Sequence, residues 1–82
     1  MNVKKPTVAQ AERYVTNLGK RMRELRDERG LKRNWVAKQL GVHYNSLKNW
    51  ELGNSRPGAR ELLHVARVYE IEVDQFFVGV KP

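Results

Sequence analysis

From Val8 onward, Val8, Ala11, Val15, Leu18, Met22 and Leu25 recur at alternating steps of three and four residues, the spacing of a single stripe along an α-helix. Thr7 precedes the stripe and Gln10 lies three residues on, which matches a capping box. Gly30 after Arg29 supplies a stop. The stripe predicts either one long helix or two, because Asn17 offers a second cap and the chain could break near Thr16–Gly19. Arg33–Leu40 predicts a short helix burying Val36, Ala37 and Leu40, and Tyr44–Leu52 another burying Leu47 and Trp50. Residues 53–58, Gly-Asn-Ser-Arg-Pro-Gly, form a loop by composition. Ala59–Tyr69 predicts a helix with Leu62, Leu63, Val65, Ala66 and Tyr69 as its apolar set. Val73–Phe77 closes with a last short helix before a tail at 78–82. With no strand pattern and no repeat, the chain is expected to be all-α, a compact bundle of five short helices with an extra N-terminal helical segment.

The centre of the pattern needs a tight turn. Gly41 can take positive φ without steric cost and reverse the chain within a few residues. Ala37 stands four residues earlier, where two crossing helices leave room for little more than a methyl group. Val36, Leu40, Val42, Leu47 and Trp50 then point inward and clamp a helix-turn-helix pair. The second helix keeps an outer face of Tyr44, Asn45, Lys48 and Asn49, rich in donors and free of acids. Such a face suits the major groove, where phosphates surround the base edges.

Composition narrows the classes. The chain of 82 residues allows one small domain with a modest core. It contains no cysteine, which excludes a disulfide framework and thiolate zinc sites and fits a reducing cytoplasm. The two histidines, His43 and His64, stand apart, so neither a metal nor a cofactor is expected. No stretch is apolar enough for a membrane span or a signal peptide. Lys and Arg number 16 against 9 acids. The excess sits in front: residues 1–33 hold 10 bases and 4 acids, residues 61–82 only 2 bases and 4 acids. A basic front suggests a polyanionic partner.

Four segments together resemble a known family. Leu-Gly-Lys-Arg-Met-Arg-Glu-Leu-Arg-Asp-Glu-Arg-Gly-Leu (18–31), Trp-Val-Ala-Lys-Gln-Leu-Gly-Val (35–42), Ser-Leu-Lys-Asn-Trp-Glu-Leu-Gly (46–53) with Pro57, and the closing run from Leu62 to Phe77 are similar to the phage-repressor, Cro-type (xenobiotic-response-element) helix-turn-helix proteins. The resemblance implies a lambda-repressor-like five-helix domain at 17–77, its motif at 33–52, behind a basic extension at 1–16. It implies a transcriptional regulator binding a double-stranded DNA operator as a homodimer. Carried over by position, Tyr44, Asn45 and Asn49 would read base edges with Lys48 beside them. Lys32, His43, Asn54 and Arg56 would meet phosphates, and Arg26 with Glu51 would form a structural pair between helices. Arg33 replaces the family's usual glutamine, a charged fork able to reach phosphate or guanine. Lys32 and His43 stand at the usual Ser/Thr cap positions, so both caps are expected to be lost unless Asn45 or Ser46 substitutes.

Three choices stay open at this stage. Trp35, where the family has a polar residue, either packs under the N-terminal segment around Val8, Ala11 or Tyr14, or meets a partner. Dimerisation is expected through Val73, Phe77, Val78 and Val80, with the stripe of Val8, Ala11, Val15 and Leu18 as the rival surface. The function is expected to be that of a repressor of phage or mobile-element type. The alternative is an antitoxin or protein-interaction module with secondary DNA binding. No nucleophile–base set, acid pair or phosphate-cradling loop suggests an enzyme.

Overall fold

The computed structural model describes residues 7–82, so the basic residues Lys4 and Lys5 of the expected tail lie outside the described part. Four α-helices and one short 3-10 helix follow in order: α1 (Val8–Glu28), α2 (Arg33–Leu40), α3 (Tyr44–Leu52), α4 (Ala59–Tyr69), then the 3-10 helix Val73–Phe77. The all-α expectation holds, although the fifth helix is a single tight 3-10 segment. No strand occurs among the described residues, and none of their helices is long and apolar enough to cross a membrane.

The helix α1 runs unbroken through Thr16–Gly19. It opens with the expected capping box: the Thr7 hydroxyl accepts from the Gln10 amide at 3.1 Å, and Gln10 Oε1 accepts from the Thr7 amide at 2.8 Å. Gly19 is buried because α1 and α3 meet there almost backbone to backbone. A Cβ on Gly19 would run into the Trp50 carbonyl oxygen and lie 2.9 Å from that of Glu51. The segment where Asn17 offered a second cap is therefore continuous helix, and Gly19 within it is a crossing point.

The core gathers Met22, Leu25, Val36, Ala37, Leu47, Trp50, Leu62, Val65, Ala66, Tyr69 and Phe76, with at least one residue from every helix. Three expected members depart from it: Leu63 is 56 % exposed, and Leu40 and Val42 are only partly buried against the cluster. Tyr69 and Phe76 rings meet at 6.1 Å, a tilted pair that seats the 3-10 helix. The Tyr69 hydroxyl is buried without a hydrogen-bond partner, and burial pushes its pKa well above the ordinary range.

Helix ends share one device. Gly41 closes α2 in the left-handed region at φ 68°, with its amide on the Lys38 carbonyl and the Val42 amide on that of Ala37, a Schellman motif. The α4 terminus repeats both bonds on Glu70, a non-glycine residue at φ 57°. Arg29 ties this end to α1, donating to the Tyr69 carbonyl at 2.7 Å and the Leu25 carbonyl at 3.2 Å.

The first turns of α1 cover nothing. Val8 is 80 % exposed, and Ala11 and Tyr14 are exposed as well. The expected packing of Trp35 beneath them does not occur. At about 1.5 Å per residue, Val8 lies some 27 Å along α1 from Arg26, the residue that bonds the Leu31 carbonyl leading into α2. Trp35 stays 46 % exposed on α2. The tail folds back on α1 instead, held by Asn17 Nδ2 donating to the Lys81 carbonyl, while Arg21 Nε donates to the Gln75 carbonyl of the 3-10 helix at 2.8 Å.

Candidate nucleic-acid interface

Helix α3 buries Leu47, Trp50 and Glu51, which turns Tyr44, Asn45 and Lys48 outward and leaves Asn49 half-buried beside them. Its frame is set at the start. His43 Nδ1 accepts from the Asn45 amide at 3.1 Å, so the imidazole does the work of a Ser or Thr oxygen. The expectation of a lost cap is thereby corrected, and neither Asn45 nor Ser46 substitutes for it. The bond requires the neutral ring with its proton on Nε2, and it puts Tyr44 at the first helical position. The cap at Lys32 is absent as expected, since its side chain makes no capping bond.

Behind this face lies a buried ion cluster. Glu51, with 1 % of its side chain exposed, accepts from Arg26 through two parallel bonds, Nε to Oε2 at 2.7 Å and Nη2 to Oε1 at 3.0 Å. Arg33 adds Nε at 3.1 Å and Nη2 at 3.0 Å on the same Oε1. Its remaining nitrogen, Nη1, donates to the Tyr44 hydroxyl at 3.0 Å, while Cζ stands 5.7 Å from the centre of the Tyr44 ring. Both guanidinium pKa values are raised, that of Arg26 by its Glu51 hydrogen bond and that of Arg33 first by the bond to Tyr44. Two cations on one carboxylate leave a net positive charge at the edge of the outer face.

A family model described as a helix-turn-helix domain matches residues 19–81, which takes in the whole motif and the tail folded on α1. The chain belongs to this helix-turn-helix family. A relative described as an uncharacterized transcriptional regulator in the ATPase CF(0) region of Rhodospirillum rubrum is 28 % identical over 61 residues, 74 % of this chain and 56 % of the relative. The chain thus spans little more than half that relative's length. Among solved structures, the restriction-modification controller protein C.AhdI from Aeromonas hydrophila superposes with a TM-score of 0.74 at 27 % identity, covering 77 % of this chain and 96 % of that one. An HTH_3 family transcriptional regulator from Vibrio cholerae gives 0.76 at 26 % identity, over 83 % of this chain and 38 % of the other. The Cro-type resemblance read from the four sequence segments is borne out.

Within this helix-turn-helix domain the remaining candidate residues fall in two places. Lys32, His43, Asn54 and Arg56 are exposed at the starts of the two motif helices and in the loop after α3. The Asn54 amide bonds the Asn49 carbonyl at 3.0 Å, and its side chain lies 3.5 Å from Asn49 Oδ1, so the loop is fastened to the end of the outer face. At the far C-terminal side, Phe77 and Val78 are 51 % and 56 % exposed, while Val73 and Val80 are half-buried, Val73 against the core. Sequence reasoning missed the His43 cap and the Arg33–Tyr44 bond. Nothing in the spacing of residues 33 and 44 marks the second, because it depends on the angle between α2 and α3.

Proposed function

We propose that this chain is a sequence-specific DNA-binding transcriptional regulator, acting as a repressor of phage or mobile-element type on a two-fold operator. The observation that carries the reading is the acid-free outer face of a capped α3 inside a helix-turn-helix domain. Its one acid, Glu51, is withdrawn from the surface by two arginines. The kinship with a restriction-modification controller protein and with a transcriptional regulator supports the regulatory role. In this reading Tyr44, Asn45 and Asn49 face base edges with Lys48 beside them, and Lys32, His43, Asn54 and Arg56 hold phosphates. A homodimer joined through Phe77, Val78 and the neighbouring Val73 and Val80 presents two copies of α3 about 34 Å apart on successive major grooves.

Base reading and phosphate anchoring separate experimentally. Sites selected from a random DNA pool define the preferred operator. On that site Asn49→Ala is expected to cost about 1–3 kcal/mol and to relax one base pair, because asparagine pairs bidentately with adenine. Arg56→Ala is expected to weaken preferred and random DNA alike. Equal weakening of both DNAs by Asn49→Ala would show that α3 does not enter the groove in this frame.

A further inference from the structure

The bond between Arg33 and Tyr44 has a direction. Arginine carries donors and no acceptor, so at 3.0 Å Nη1 donates and the phenol oxygen accepts. The hydroxyl hydrogen then has no partner among the described residues and belongs to a residue that is exposed at the start of α3. Arg33 cannot swing away freely, because Nε and Nη2 both sit on Glu51 Oε1, and Glu51 is itself held by Arg26. A neutral amide at position 33 would behave otherwise. Glutamine can donate to a hydroxyl or accept from it, which would leave the tyrosine free to be either partner in the groove.

We propose that Arg33 is a specificity-positioning residue that makes Tyr44 a donor-only reader, so that the base facing it must offer a hydrogen-bond acceptor in the major groove. Guanine, adenine and thymine each present one there, whereas cytosine presents only its amino donor. The expected signature is the exclusion of cytosine at one position of each half-site, on the strand that faces Tyr44. The inference rests on the DNA-binding reading above and adds the chemical class of base that the site accepts.

The test compares the full chain with Tyr44→Phe, Arg33→Gln and the double variant, each used to select sites from a random DNA pool, with thermal unfolding as the check on folding. The unaltered chain is expected to disfavour cytosine at that position by roughly tenfold to a hundredfold. Tyr44→Phe lifts the exclusion at that position alone. Arg33→Gln lifts it too, with Tyr44 still present, because the hydroxyl can then donate to the glutamine and accept from cytosine. The double variant goes no further than Tyr44→Phe. Arg33→Gln acting only through stability would lower binding to every sequence and leave cytosine excluded, which would overturn the proposal. Uniform weakening by Tyr44→Phe would overturn it as well, by assigning the hydroxyl to a phosphate. Tyr44→Phe removes only one oxygen, so it keeps the proposal falsifiable even if Arg33→Gln fails to fold: cytosine still excluded in that variant would overturn it. Cytosine accepted at every position of the sites that the unaltered chain does select sinks this inference alone. Failure of the unaltered chain to select any sequence sinks the DNA-binding reading beneath it.

Discussion

Glu51 holds two arginines with a single charge, and nearly all of its side chain is out of water. Burying a carboxylate alone is prohibitive, and here Arg26 compensates by gripping both oxygens while Arg33 bonds Oε1. The arrangement binds α1 to α3, recruits α2 through Arg33, and withdraws an acid from the outer face of α3. Glu51→Gln keeps the shape and deletes the charge, leaving the buried Arg26 guanidinium with only the exposed Asp27 carboxylate, 3.5 Å from Nη1. A loss of about 3 kcal/mol is expected, read from the urea midpoint at unchanged slope. A change below about 1 kcal/mol would show that the cluster arranges the site without holding up the fold. The same residue scale explains His43, whose ring nitrogen substitutes for a hydroxyl oxygen once the backbone has brought the Asn45 amide within reach.

At the level of elements, α1 is the axle. It crosses α3 at Gly19, ties to the 3-10 helix through Arg21 and Gln75, and to the end of α4 through Arg29 and Tyr69. Alanine is favoured over glycine within a helix by about 1 kcal/mol, yet Gly19→Ala is expected to destabilise. Its methyl group meets carbonyl oxygens of α3 backbone, and separating two packed helices costs roughly 1–3 kcal/mol or more, which outweighs the propensity gain. A lowered melting temperature with helix content retained is the expected result, and an increase would mean that the crossing is looser than described. The movement also displaces the outer face of α3, so DNA affinity is expected to fall with stability. The α4 end shows the opposite economy: Glu70 occupies a left-handed position that glycine fills at the ends of α2 and α3.

For the whole molecule, the formal charge overstates what faces a ligand. Of the bases crowded into the first third, Arg21, Arg26 and Arg29 are engaged with carbonyls and Glu51 inside the fold. Lys32, Lys48 and Arg56 remain exposed around α3. Three such contacts per protomer of the proposed dimer would neutralise about six phosphates, so log K is expected to fall with log[salt] at a slope near −5. A flat dependence would contradict the electrostatic account. The dimer itself is testable by mass in solution. Phe77→Ser is expected to yield a monomer, since it places a hydroxyl in the exposed apolar cluster with Val78. A chain lacking residues 1–16 is expected to remain dimeric. The reverse pair of results would move the interface to the first turns of α1, where Val8 and Ala11 stand uncovered.

Periodicity and punctuation alone determined the helix-turn-helix in this protein. The bounds of α2, α3 and α4 follow from local signals, because apolar spacing and left-handed turn residues act within a few positions of chain. The outer face of α3 was legible for the same reason: once Leu47 and Trp50 point inward, the helix period leaves Tyr44, Asn45 and Lys48 no other direction. Only the tertiary structure decided the rest. Gly19 reads locally as a helix breaker, and its role appears when α3 lies against it. Trp35 and the first turns of α1 each look in need of cover, yet the helix axis carries them apart. The direction of Arg33 depends on Glu51, 18 residues away in sequence, and on Tyr44, 11 residues away. Side-chain contacts between helices depend on crossing angles and distances, which one-dimensional spacing does not encode.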